Sequence, residues 1–130
     1  MNITVLSGNL TRDVEIANPD SQSEWKILKF TIANNDEYRD GQSITSFVDC
    51  EVLTNKPQML IARMVKGAGI QATGALRQDS WPDQSTGQKR SKIKLAVQNR
   101  PFPQIMFIAK KDEPIEVAKQ DNDIPDDIPF

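Results

Sequence analysis

Hydrophobic and polar residues alternate along most of the first hundred positions, and a helical period interrupts the pattern only once. In residues 2–10, Ile3 and Val5 stand between polar neighbours, and Gly8 follows where a strand can bend or bulge. A second strand is predicted over 25–34. There Leu28, Phe30 and Ile32 oppose Ile27, Lys29 and Thr31, and the polar stretch 18–24 supplies a turn beforehand. Residues 34–43 (NNDEYRDGQS) read as a polar loop carrying Tyr38 beside Arg39. Alternation resumes over 44–53, with Val48, Cys50 and Val52 assigned to the core and Phe47, Asp49, Glu51 and Leu53 to the other face.

Over 57–66 the period becomes helical. Leu60, Ile61, Met64 and Val65 share a face, Pro57 suits a first turn, and Gly67 provides a stop. The methionines there are read as core filler. Two more strands are predicted at 69–77 and 91–98, separated by a long loop, 78–90, in which Pro82 and Gly87 interrupt any continuous strand. In the last strand Ile93, Leu95 and Val97 are expected to face inward, and Lys92 and Lys94 outward. Residues 99–108, with two prolines before a short apolar run, fit either an extra strand or an apolar strap. A mainly β chain of five strands, with one short helix between the third and fourth, has the element order of an OB-fold. This small Greek-key barrel commonly binds oligonucleotides or oligosaccharides.

Charge divides the chain where the alternation fades. Residues 1–111 carry 15 Lys and Arg against 11 Asp and Glu, a balance of +4, whereas 112–130 carry one Lys against seven acids, a balance of −6. We therefore expect one domain over 1–111 and a disordered acidic tail over 112–130, too poor in apolar surface to offset the entropy of ordering. The tail ends in Asp126, Asp127, Ile128, Pro129 and Phe130, and Ile124-Pro125 repeats the apolar pair of the tip. An aromatic ring set among negative charges suits a partner's pocket better than mere solvation requires.

Several classes of function lose support on composition. With no histidine and no nucleophile elbow, P-loop or dinucleotide fingerprint, the chain reads as a binding protein without cofactor or metal rather than an enzyme. A single cysteine, Cys50, excludes an internal disulfide and reads as a small buried hydrophobe. With no signal-like N-terminal run and no apolar segment of membrane-spanning length, a soluble cytoplasmic location without membrane association is expected.

The chemistry that remains is an interleaving of rings and cations. Trp25, Tyr38, Phe47 and Trp81 lie on outward faces or loops, and Lys29, Arg39, Arg77, Lys89, Arg90, Lys92 and Lys94 lie on or near the same elements. Rings stack on bases of any sequence, at about 1–3 kcal/mol per base, while cations meet phosphates. Duplex bases offer no such face, so single strands are the expected ligand. Trp81, between Ser80 and Pro82, has nothing in sequence to bury it. Phe47 would equally cap the barrel or pack a subunit interface, and Trp25, at a strand start, reads as interface, core edge or contact.

GNLTRD at 8–13, FTIA at 30–33, SFVDCEV at 46–52, MVKGAGIQATGALR at 64–77, SWPDQSTGQKR at 80–90 and DDIPF at 126–130 together resemble the bacterial single-stranded DNA-binding (SSB) family. The resemblance implies a homotetramer of OB-folds that wraps single-stranded DNA, with stacking at Tyr38, Phe47 and Trp81. It also implies recruitment of replication, recombination and repair proteins through residues 126–130. Two departures stand out: Tyr38 and Phe47 occupy positions that are often tryptophan in the family, and Asp49 and Glu51 place negative charge on the expected DNA face. These carboxylates favour an alternative, an adaptor of the primosome-accessory type acting mainly through protein contacts. RNA and oligosaccharide ligands are further alternatives, the first because stacking does not read the 2′-hydroxyl.

Overall fold

The computed structural model describes residues 1–108. The predicted tail and its tip, residues 126–130, lie outside the described residues, as do the last three positions of the predicted domain. Elements follow in the order β1 (Thr4–Leu10), β2 (Glu15–Ile16), β3 (Lys26–Arg39), β4 (Gln42–Thr54), α1 (Pro57–Ile61), β5 (Gly69–Pro82), β6 (Lys89–Val97) and β7 (Ile105–Ile108). Neighbours in the sheet run β1-β3-β4-β6-β5-β7, and β1 pairs with β5 as well, from Thr4↔Gly74 to Asn9↔Gly69, which closes a barrel. Five principal strands with α1 between β4 and β5 make this an OB-fold, as the element order predicts. β2 and β7 are short additions on β3 and β5. The apolar run at 105–108 is therefore a strand.

Alternation explains the core. Leu28, Phe30 and Ile32 on β3 and Cys50 and Val52 on β4 are buried in register, Leu28 opposite Val52 and Phe30 opposite Cys50. Leu10, Met64, Ile70, Ala72, Leu95 and Val97 complete the core. Burying an apolar side chain of this size stabilises the fold by about 1.5–3 kcal/mol.

Three expectations are corrected. The polar stretch 34–43 is not a loop, because β3 continues to Arg39 and β4 begins at Gln42. Asp40 and Gly41 turn the chain with φ of 53° and 78°, the left-handed pair that a two-residue hairpin turn requires, and the Asp-Gly dipeptide was its signal. Nor is 78–90 a long loop. β5 and β6 pair through Trp81↔Arg90 and Pro82↔Lys89, leaving only 83–88 as the connection. Pro82 is tolerated because it ends the ladder of a two-stranded arm. Ile93, expected in the core, is 56% exposed: it pairs with Gln78 on that arm, beyond the barrel.

The helix is also shorter than its pattern. α1 stops at Ile61, with one last bond from the Met64 amide back to the Leu60 carbonyl, and the chain then ties to the end of β1 and the segment that follows it: the Val14 amide donates to the Met64 carbonyl at 3.0 Å and the Gly67 amide to the Leu10 carbonyl at 2.8 Å. Met64 is core filler as expected, but Met59, on the outer side of α1, and Val65, beyond its end, are exposed.

Candidate nucleic-acid interface

Successive odd positions of β4 and even positions of β6 present one outward face. Along β4 this face carries Phe47, Asp49, Glu51 and Leu53, and along β6 it carries Arg90, Lys92 and Lys94. β3 contributes Lys29 opposite Glu51 and Thr31 opposite Asp49. β5 contributes Arg77 opposite Lys94, Asp79 opposite Lys92 and Trp81 opposite Arg90. The barrel thus brings Phe47, Trp81, Lys29, Arg77, Arg90, Lys92 and Lys94 onto adjoining strands. Tyr38 and Arg39 stand apart, near the tip of the β3–β4 hairpin, where Tyr38 faces Ser43 and is 69% exposed. Lys89 sits at the end of the β5–β6 arm opposite Pro82. Phe47 and Trp81 are both exposed.

The cations on this face are not all free. Lys92 is ion-paired to Asp49, and the Lys94 ammonium lies 2.7 Å from Glu51 and 2.8 Å from Asp79. Thr31 donates its hydroxyl to Asp49 at 2.7 Å. The hydrogen bond from Lys92 holds the Asp49 carboxyl below the usual carboxylate range, against the opposing effect of burial. Lys94 is raised by its bonds to Asp79 and then Glu51. Arg12, Lys29, Asp49, Glu51, Lys92 and Lys94 line a cavity of about 170 Å³ over this band. Directly beneath, Cys50 points inward, and burial, with the Asp49 charge, pushes its thiol up to about 12.

Trp81 is positioned by the turn that follows it. Asp83 accepts hydrogen bonds from the Ser85 amide at 2.9 Å and hydroxyl at 2.8 Å, and from Arg90 Nε at 2.6 Å. These bonds, Ser85 first, hold its carboxyl at about 2. The Asp83 amide donates to the Gln88 carbonyl, and Gly87, at φ 73°, returns its amide to the Asp83 carbonyl. Arg90 thereby lies cross-strand from Trp81 with its guanidinium anchored.

A part of the surface was missed in sequence. Beyond Glu51, Leu53 opens into an apolar groove of about 480 Å³ with Trp25, Met59, Leu60, Pro101 and Phe102. Its apolar residues are visible in sequence, but their convergence depends on the path of 99–104 beside α1, which no local pattern reveals. Among the described residues no group of His, Cys, Asp or Glu is arranged to hold a metal ion, and no helix is long and apolar enough to cross a membrane.

Comparisons with known proteins agree with this architecture. The Single-strand binding protein family matches residues 1–103. A single-stranded DNA-binding protein of Borreliella burgdorferi is 36% identical over 105 residues, covering 76% of this chain and 67% of its own length. One from Wolinella succinogenes is 39% identical over 95 residues, covering 70% of this chain and 57% of its own. The aligned part therefore spans about two thirds or less of these two relatives. Single-stranded DNA-binding protein 1 of Streptococcus pyogenes is 24% identical over 135 residues, covering 100% of this chain and 99% of that protein. A solved structure, Plasmodium falciparum SSB in complex with ssDNA, superposes with a TM-score of 0.66 at 19% identity, covering 84% of this chain and 96% of that one, a likeness of fold. Matched over residues 1–103 and more than a third identical to two curated members, the chain belongs to the Single-strand binding protein family.

Proposed function

We propose that this protein binds single-stranded DNA without sequence preference and coats it during replication, recombination and repair. The observation that carries this reading is the outward face of the barrel, where Phe47 and Trp81 flank a cation-bearing band and Tyr38 extends from the adjoining hairpin. Tyr38, Phe47 and Trp81 stack on bases. Lys29, Arg39, Arg77, Lys89, Arg90, Lys92 and Lys94 meet phosphates. The family supports the ligand, and its relatives carry the same activity in their names.

Assembly and recruitment belong to the same proposal. Ile3 and Val5 alternate outward near the start of β1, both more than half exposed, and support association into a homotetramer. A monomer mass in sedimentation equilibrium would remove that part of the reading. The tail recruits replication and repair proteins through Asp126, Asp127, Ile128, Pro129 and Phe130.

Tryptophan fluorescence tests the ligand. The chain has two tryptophans, so Trp25→Phe leaves Trp81 as the sole reporter. Oligo(dT) should quench it strongly, and duplex DNA should not. Changing Tyr38, Phe47 and Trp81 together to Ala should weaken strand binding, each ring being worth about 1–3 kcal/mol. An adaptor acting through protein contacts would show no quenching and would survive the triple change. The ion pairs reduce the appeal of that alternative, since Asp49 and Glu51 are already matched by Lys92 and Lys94.

A further inference from the structure

Three carboxylates on a face proposed for nucleic acid need a reason. Exposed ion pairs contribute little to stability, and half-buried ones lose to desolvation much of what their attraction gains, so holding the fold together does not by itself supply one. Their placement is specific: Asp49 and Glu51 reach from β4 to Lys92 and Lys94 on β6, and Asp79 reaches Lys94 from β5. Lys94 is the most enclosed of these, with its side chain 20% exposed and oxygen acceptors at 2.7 and 2.8 Å from two directions. An ammonium has three donors and no means of enlarging its shell. Two of those donors are spent on Glu51 and Asp79, and a phosphate taking the third would sit against both carboxylates, so close approach to Lys94 favours displacing one of them. Among the described residues Lys29, Arg77 and Lys89 have no ion-pair partner and can meet a phosphate without exchange.

We infer that Asp49, Glu51 and Asp79 act as internal counterions that occupy the phosphate positions at Lys92 and Lys94, so that strand binding on this face is an exchange of carboxylate for phosphate. The inference rests on the strand-binding reading and adds its regulation. Exchange lowers affinity, because the attraction gained is offset by the pairs broken. It also flattens the response to salt. Each phosphate neutralised on a single strand releases counterions and contributes about −0.7 to the slope of log K against log salt. When a carboxylate is released in the same step, it draws cations back from solution and the contribution is cancelled in part. Lys94 discriminates accordingly: a ligand must bring a phosphate in reach of a half-closed cavity, and a distributed polyanion without that fit leaves the pair intact.

The test is a salt titration of oligo(dT) binding by the full chain. E51Q/D79N frees Lys94, and neither carboxylate has another side-chain hydrogen bond among the described residues, so the fold is expected to hold by circular dichroism. The slope should steepen by up to about 0.7 and the dissociation constant at low salt should fall roughly fivefold. Adding K94Q should abolish the steepening, leaving a slope no steeper than that of the wild type. D49N provides a second, independent arm at Lys92, with a smaller shift because the Lys92 side chain is 59% exposed. An unchanged slope in both arms, or a steeper slope that survives K94Q, overturns the exchange. Failure of the wild-type protein to bind oligo(dT) at any salt would instead overturn the proposed function, and the two results cannot be confused.

Discussion

Cys50 lies between Asp49 and Glu51 in sequence, yet the pleat of β4 sends its thiol into the core and their carboxylates to the surface. Burial and the neighbouring Asp49 charge raise the thiol from 9.0 to about 12. The sign follows directly: the neutral thiol's contribution to folding is complete below pH 9.0 and declines as pH rises towards about 12. A thiol reagent should therefore leave the native protein unlabelled at mildly alkaline pH and react only at the rate of global unfolding. Rapid labelling of folded protein would show that the β3–β4 side of the core is open. Asp49 titrates in the opposite sense, with stability present above 3.8 and lost as pH falls below it. The two side chains share a strand and protect it from opposite ends of the pH scale.

The arm formed by β5 and β6 depends on its turn more than on the core. Asp83 ties Ser85 and Arg90 together, and its depressed carboxyl keeps that bonding from above 3.8 down to about pH 2. Asp83→Ala should loosen the arm while leaving the barrel's melting temperature nearly unchanged, since its side chain bonds to Ser85 and Arg90 on the arm and to no core residue. The expected readouts are lower Trp81 anisotropy and weaker quenching by oligo(dT); unchanged anisotropy would mean that cross-strand pairing alone holds the ring. This division between arm and barrel also explains what could be read in advance. Leu28, Phe30 and Ile32 alternate because one side of β3 is dry and the other wet, so the core strands were plain. Past Asn34 and past Arg77 both sides are wet, alternation loses its meaning, and the hairpin arms read as loops. Ile93 was misplaced for the same reason. The rings were legible because a large aromatic amid polar residues is conspicuous. Pairing of Lys94 with Glu51 and Asp79 was not, because it joins three strands that only the closed barrel brings together.

Charge is a property of the whole chain. The basic body and acidic tail, +4 and −6, oppose one another, and the tail is therefore expected to compete with DNA for the band on the barrel. Deleting residues 121–130 should tighten strand binding at low salt, with the difference vanishing as salt is added, and should abolish partner recruitment. Recruitment that persists would assign it to the barrel.

The position of β7, the last described strand, has a mechanical meaning. β7 holds to β5 by four register pairs, from Gly69↔Ile108 to Ala72↔Ile105, with the Arg63 guanidinium 3.9 Å over the Phe107 ring. The barrel closes without it, through β1 and β5. A pull applied at Ile108 meets this short ladder first. Peeling residues 98–108 would pay out roughly 35 Å of slack at about 3.3 Å per residue while every strand of the DNA-facing sheet stayed paired. Under an optical trap the extension should show a first step of about that length before the barrel yields, and a single larger rupture would mean that β7 and the barrel fail together. On the first of these outcomes β7 would act as a fuse, yielding under load before the barrel does.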